Sequence, residues 1–145
     1  MIVVDASVAV KWLVPEAGEA AADELLSTGG PLLAPALIRV EVAAAIARKV
    51  RFDEIPFQTG ESALGRWFQL LLNALVTLVP DEADLAGAWQ LATELKHPLQ
   101  DCLYLALALR LRTPLITADQ KFAEKARPVY SEVRLPGSDQ SRPER

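Results

Sequence analysis

Four short apolar runs constrain this chain most. Ile2-Val3-Val4 and Leu115-Ile116-Thr117 read as buried strands, residues 75–79 as a strand that Pro80 ends, and Leu32-Leu33, between Pro31 and Pro35, only as a strand candidate. Helical stretches separate them. Residues 8–14 are apolar until Pro15 stops them, and 16–27 are rich in Ala and Glu and end at Gly29-Gly30. Residues 36–50 carry an alanine run. Residues 53–73 read as a helical hairpin or broken helix, punctuated by Pro56 and Gly60. Asp81 opens a helix to about Lys96, with Asp84 three residues on as a variant capping box. Pro98 ends that stretch, and a further helix runs from about 99 to 112. Residues 121–127 form a short helix, and 129–135 an edge-like last strand. Buried strands alternating with helices predict an α/β protein with a mainly parallel sheet.

A chain of 145 residues is the size of one domain, and it can bury roughly 70% of its unfolded surface. With 51% hydrophobic and 23% charged residues it is not a disordered polymer. One domain is expected over 1–136, with a polar, Pro-interrupted tail at 137–145. The single cysteine, Cys102, excludes an internal disulfide framework and reads as a small buried apolar residue. Cys102 and His97 alone cannot build a Cys/His zinc site. No basic leader precedes the first apolar run, and the most apolar stretch, 67–80, is too short to span a bilayer as a helix. The expectation is a soluble cytoplasmic protein without a membrane partner.

In parallel sheets ligands bind beyond the carboxyl ends of the strands. Asp5 directly follows Ile2-Val3-Val4, and Asp119 stands two residues after Leu115-Ile116-Thr117. Either acid could simply cap the helix that follows it. Glu41 lies within an otherwise apolar helix, on a face shared with Leu37, Ala44, Ala45 and Arg48. It is either part of a solvated face or an acid turned inward. Asp101 opens a very apolar helix, where its charge complements the helix dipole by about 0.3–1 kcal/mol.

Together these acids resemble the PIN-domain ribonucleases and, within them, the VapC-type toxins of bacterial toxin–antitoxin pairs. The resemblance rests on Ile2-Val3-Val4-Asp5-Ala6-Ser7, on Ile38-Arg39-Val40-Glu41-Val42 and on Pro98-Leu99-Gln100-Asp101-Cys102-Leu103-Tyr104. It rests most on Pro114-Leu115-Ile116-Thr117-Ala118-Asp119 followed by Phe122. It extends from Met1 to about Leu135, and residues 51–74 carry no motif. It implies a three-layer α/β/α PIN-like domain with a mainly parallel central sheet. It also implies a Mg²⁺-dependent ribonuclease site, with Mn²⁺ able to substitute, made from Asp5, Glu41, Asp101 and Asp119. Ser7 and Thr117 match positions that support such a site by hydrogen bonding. A homodimer and a cognate antitoxin protein are the implied partners, with RNA as substrate.

Several carboxylates in one crevice repel: two unit charges 4 Å apart cost roughly 4 kcal/mol at an effective dielectric of 20. The sequence places no run of Lys and Arg among the four acids, so a hard divalent cation is the natural counterion. Asp5, Asp101 and Asp119 would hold it, and Glu41 would bind it or orient the attacking water. His97 precedes Pro98 and shows no partner in the sequence, which argues against a His-driven ribonuclease.

The net charge, −4, does not announce a nucleic-acid binder. Lys11, Arg39, Arg48, Lys49, Arg51, Lys121 and Lys125 could line a phosphate path or serve only solubility. Trp12, Trp67 and Trp89 read as core or interface anchors, and Trp67-Phe68 with Leu70-Leu71-Leu72 as a partner-binding surface. Other readings stay open. A phosphoacceptor receiver would pair a second acid with the first and place a Lys after its last strand. An Asp-nucleophile phosphatase would place an Asp where Ser7 stands. A non-catalytic α/β binding module is the third.

Overall fold

The computed structural model describes residues 1–28 and 30–138. Twelve elements follow in order: β1 (Ile2–Val4), α1 (Ala6–Leu13), α2 (Glu19–Thr28), β2 (Leu32–Pro35), α3 (Ile38–Arg51), α4 (Phe57–Leu72), β3 (Val76–Val79), α5 (Leu85–Leu95), α6 (Leu99–Leu111), β4 (Leu115–Ile116), α7 (Gln120–Ala126) and β5 (Val133–Arg134). The five strands pair in the order β3-β2-β1-β4-β5, all parallel. Helices on both faces complete the three-layer α/β/α arrangement of a PIN-like domain.

The strand order decides where a ligand can sit. From β1 the chain moves outward to β2 and β3, then returns across the sheet to β4 and β5. The direction of winding therefore reverses between β1 and β4. Right-handed crossovers then put α1 to α4 on one face and α5, α6 and α7 on the other. The two sets of connections part at the carboxyl ends of β1 and β4, which opens a crevice there. Val3 pairs with Leu115 and Val4 with Ile116, so those two strand ends are in step.

The core explains why these residues form these elements. Val3, Val4 and Leu115 are fully buried, as expected of strands covered on both faces. In α6 every residue from Cys102 to Ala108 is buried, and a helix apolar all round belongs in the interior. It lies against β1, β2 and β4. Trp67 from α4 is fully buried, and its indole N–H donates to the Arg39 carbonyl at 3.3 Å. Trp12 is half-buried and donates to the Ala22 carbonyl at 2.7 Å.

Several expectations need correction. Residues 57–72 form one continuous helix, not a hairpin. Gly60 does not interrupt it; it lets α4 approach α3 closely. A Cβ at Gly60 would lie 2.5 Å from a Val50 methyl. Asp81 does not open a helix through a capping box. It starts a single 3₁₀ turn, and its carboxylate accepts the Leu37 N–H at 3.1 Å. Asp84 instead takes two hydrogen bonds from the Arg110 guanidinium, at 2.6 and 3.0 Å. The second helix begins at Glu19, after Gly18 turns through a positive φ of 83°. Trp89 is 64% exposed and belongs to no core.

Of the expected tail, Gly137 and Ser138 form a turn in which the Ser138 N–H donates to the Leu135 carbonyl at 3.2 Å. Residues 139–145 lie outside the described residues. Among the described residues no helix is long and apolar enough to cross a membrane.

Two glycines of α4 make the packing argument testable. Gly65 has open space around its would-be Cβ, so Gly65→Ala should stabilise by up to about 1 kcal/mol through helix propensity. Gly60→Ala should instead destabilise by about 1–3 kcal/mol, because the Val50 methyl has to give way. Chemical denaturation of the two variants checks the opposite signs.

Candidate active site

Asp5 leaves β1 straight into α1. It is the N-cap of that helix, and its Oδ1 accepts the Val8 N–H at 3.4 Å. The Ser7 hydroxyl donates to the same oxygen. The carboxylate is only 5% exposed. Burial pushes its pKa up to about 6. Hydrogen bonds from Ser7 and Thr117 act against that rise, and the nearby charge of Asp101 adds to it.

Ser7 and Thr117 tie the two strand ends together. The Ser7 hydroxyl oxygen accepts the Ala118 N–H at 2.9 Å and stands 3.4 Å from the Thr117 hydroxyl. The Thr117 hydroxyl oxygen in turn accepts the Asp119 N–H at 3.1 Å. Asp119 then caps α7, its Oδ1 accepting the Phe122 N–H at 3.0 Å. Both terminal acids are thus the helix caps that the sequence allowed.

Glu41 and Asp101 come from opposite layers. Glu41 sits in the first turn of α3 and is half-buried. Burial raises its pKa, the Tyr104 hydroxyl lowers it by donating at 2.7 Å, and the charges of Asp101 and Asp81 raise it again. Asp101 sits in the first turn of α6, and its Oδ2 lies 2.6 Å from the Nε2 of His97.

The structure therefore brings Asp5, Glu41 and Asp101 into one electrostatic neighbourhood, with Asp101 felt by both of the others. Asp119 is tied to Asp5 only through its backbone N–H and the Thr117 and Ser7 hydroxyls; its carboxylate caps α7. It is exposed and lines an open groove of about 450 Å³ together with Ser7, Lys11, Arg48 and Lys49. Within that groove Glu16 pairs with Lys11 at 3.3 Å and with Lys49 at 2.5 Å.

One expectation fails. His97 does have a partner, Asp101, four residues ahead across Pro98. Its ring stacks on Phe122, centroids 4.9 Å apart. Tyr104 and Asp81 were also missed. Tyr104 lies three residues after Asp101, and His97 four before it. The spacing of four made His97 readable as a partner of that acid, although it stands just before α6; the Tyr104 hydroxyl goes instead to Glu41, 63 residues away, which no spacing shows. Asp81 could not be read, because its link to the α3 N-terminus spans 44 residues of chain.

A divalent cation suits this donor set. Among the described residues, none of the four acids is paired with a Lys or Arg. Glu41, Asp101 and Asp119 are each held through one oxygen, and among the described residues no hydrogen bond takes the other. No three His, Cys, Asp or Glu side chains among the described residues stand close enough to form a ready-made cage. Mg²⁺ asks for none, since it keeps several waters and binds through one or two carboxylates plus substrate phosphates.

The sequence matches the PIN-domain family over residues 2–128. The chain belongs to the PIN-domain family. The members of this family are nucleases. The PIN domain also resembles solved structures. PAE2754 from Pyrobaculum aerophilum superposes with a TM-score of 0.69 at 17% identity, covering 92% of this chain and 82% of the other. Mycobacterium tuberculosis VapC20, a toxin that cleaves the sarcin–ricin loop, gives 0.69 at 18% identity, covering 86% and 94%. VapBC2 from Rickettsia felis, bound to a fragment of its promoter DNA, gives 0.59 at 15% identity, covering 93% and 97%. These likenesses show the fold. No curated protein sequence matches the chain.

The burial of Asp5 makes the cation-free PIN domain sensitive to pH. Its folded-state pKa, about 6, lies above the ordinary 3.8. The native state therefore holds the proton more tightly, and stability falls as pH rises from about 4 to 6, by up to about 3 kcal/mol. Asp5→Asn keeps a capping acceptor for Val8 and lacks this loss. In metal-free buffer the variant should gain stability over the parent between pH 4 and 7. Thermal melts of both across that range check this, and a pH-independent difference would contradict it.

Proposed function

We propose that this PIN domain is a metal-dependent endoribonuclease, the toxin of a type II toxin–antitoxin pair. The observation that carries the reading is the cluster in which the charge of Asp101 acts on both Asp5 and Glu41, with none of the three paired to a Lys or Arg among the described residues. Such a cluster invites a hard cation and a polyanionic substrate. Family membership supports the nuclease reading. The toxin reading is supported by neighbours that include VapC20 and a toxin–antitoxin complex from Klebsiella pneumoniae.

In this proposal Asp5, Asp101 and Asp119 hold Mg²⁺ or Mn²⁺, and Glu41 binds it or orients the attacking water. The bound cation supplies water activation and neutralises charge developing on the phosphate. Ser7 and Thr117 tie the ends of β1 and β4 together and so fix the backbone that carries Asp5 and Asp119. Arg48 and Lys49 line the groove beside Asp119 and offer the RNA backbone its counterions. An antitoxin protein and a second copy of the chain are the proposed partners, and the cytoplasm the proposed location.

RNA cleavage by antitoxin-free protein tests this directly. Cleavage should require Mg²⁺ or Mn²⁺, stop in EDTA and fall at least about a hundredfold in Asp101→Asn. Activity that survives EDTA or that substitution would sink the proposal. Binding of a non-cleavable RNA checks the groove. Arg48→Ala should weaken it and lower the slope of log K against log salt by about 0.7, the value for one single-strand phosphate contact. An unchanged slope would take the RNA path elsewhere.

A further inference from the structure

We propose that His97 and Tyr104 are positioning residues, holding Asp101 and Glu41 so that one oxygen of each stays directed at the cation site. The inference rests on the reading of the acids as a cation site and adds to it two residues that the motifs did not mark.

Tyr104 is 1% exposed. A hydroxyl at such a position costs stability unless it finds an acceptor. A pure core filler would need no oxygen. The Tyr104 hydroxyl donates to Glu41 Oε1 at 2.7 Å, from α6 across to α3. Burial and the Glu41 charge push the phenol's pKa far up, so it remains a donor at any pH where the fold persists. The bond fixes a flexible Glu side chain, and among the described residues its other oxygen takes no hydrogen bond.

His97 is fixed on three sides. Its backbone N–H donates to the Ala92 carbonyl at 3.1 Å, just after Lys96 turns through a φ of 51°. Its ring lies nearly parallel to that of Phe122, 20° between planes. Its Nε2 stands 2.6 Å from Asp101 Oδ2, and the tautomer with the proton on Nε2 donates to that oxygen. Phe122 belongs to α7, the helix that Asp119 caps. His97 thereby couples the orientation of one acid to the helix carrying another. Asp101 and Tyr104 stand three residues apart on α6, and His97 reaches Asp101 from the turn just before that helix. Outer partners that orient ligating groups typically govern metal affinity by ten- to a hundredfold.

The test is Mn²⁺ titration by calorimetry on the full chain without RNA, with thermal melts as the control for folding. Tyr104→Phe keeps the ring and removes the donor; His97→Leu removes its donor, and His97→Gln keeps one. Tyr104→Phe and His97→Leu should each weaken Mn²⁺ binding about ten- to a hundredfold. His97→Gln should recover most of the loss. In a Glu41→Gln background Tyr104→Phe should have no further effect, and likewise His97→Leu in Asp101→Asn. Parent-like affinity in both single variants, or losses that add in full to those of the acids, would overturn the proposal. Mn²⁺ binding without RNA cleavage would remove the nuclease reading and leave this one standing. A parent protein that binds no Mn²⁺ would end the cation-site reading, and this proposal with it.

Discussion

Everything at this site depends on a carboxylate buried at the end of the central strand. Asp5 stands where β1 becomes α1, almost out of water. A charge there is costly unless its surroundings are arranged for it. The surroundings come from the neighbouring strand end. Ser7 donates to Asp5, and its oxygen accepts from the backbone that follows β4. Thr117, itself fully buried, completes the tie. Two short strands of three and two residues are thus locked at the point where the winding of the sheet reverses.

The remaining acids arrive by helix. α3 brings Glu41 from one face, and its N-terminus is pinned by the Asp81 carboxylate that follows β3. α6 brings Asp101 from the other face, and its apolar length fixes it against the sheet. Three carboxylates from three elements can be held near one another because each is attached to rigid structure. Their mutual repulsion is then carried by the packing of the whole domain. Interiors are close-packed and yield little to such local strain.

Much of this was legible in the sequence, for identifiable reasons. β1 and β4 were readable because parallel strands covered on both faces are continuous apolar runs. The places of Asp5 and Asp119, at the ends of neighbouring strands, were readable because those two strands were. The continuity of α4 was not, since Gly60 looks like a stop signal when the adjacent Val50 cannot be seen. Asp81 and Asp84 looked like a capping pair. Their partners, Leu37 and Arg110, lie far along the chain, and such choices are made by tertiary structure. The partnership of His97 with Asp101 was within reach of local spacing. Pro98 disguised it by suggesting a break where the chain instead makes a tight turn between helices.

Holding Glu41, Asp101 and Asp119 each through a single oxygen separates what the fold needs from what chemistry needs. Capping at 5 and 119 asks for one acceptor atom, which an amide supplies as well as an acid. In the case of Asp5 the cation-free fold is better off without the charge. Requirements of folding alone give no reason for an aspartate at position 5. A domain built this way can lose its chemistry by single-atom exchanges while its architecture stays intact, so that a well-folded relative is no guarantee of an active one.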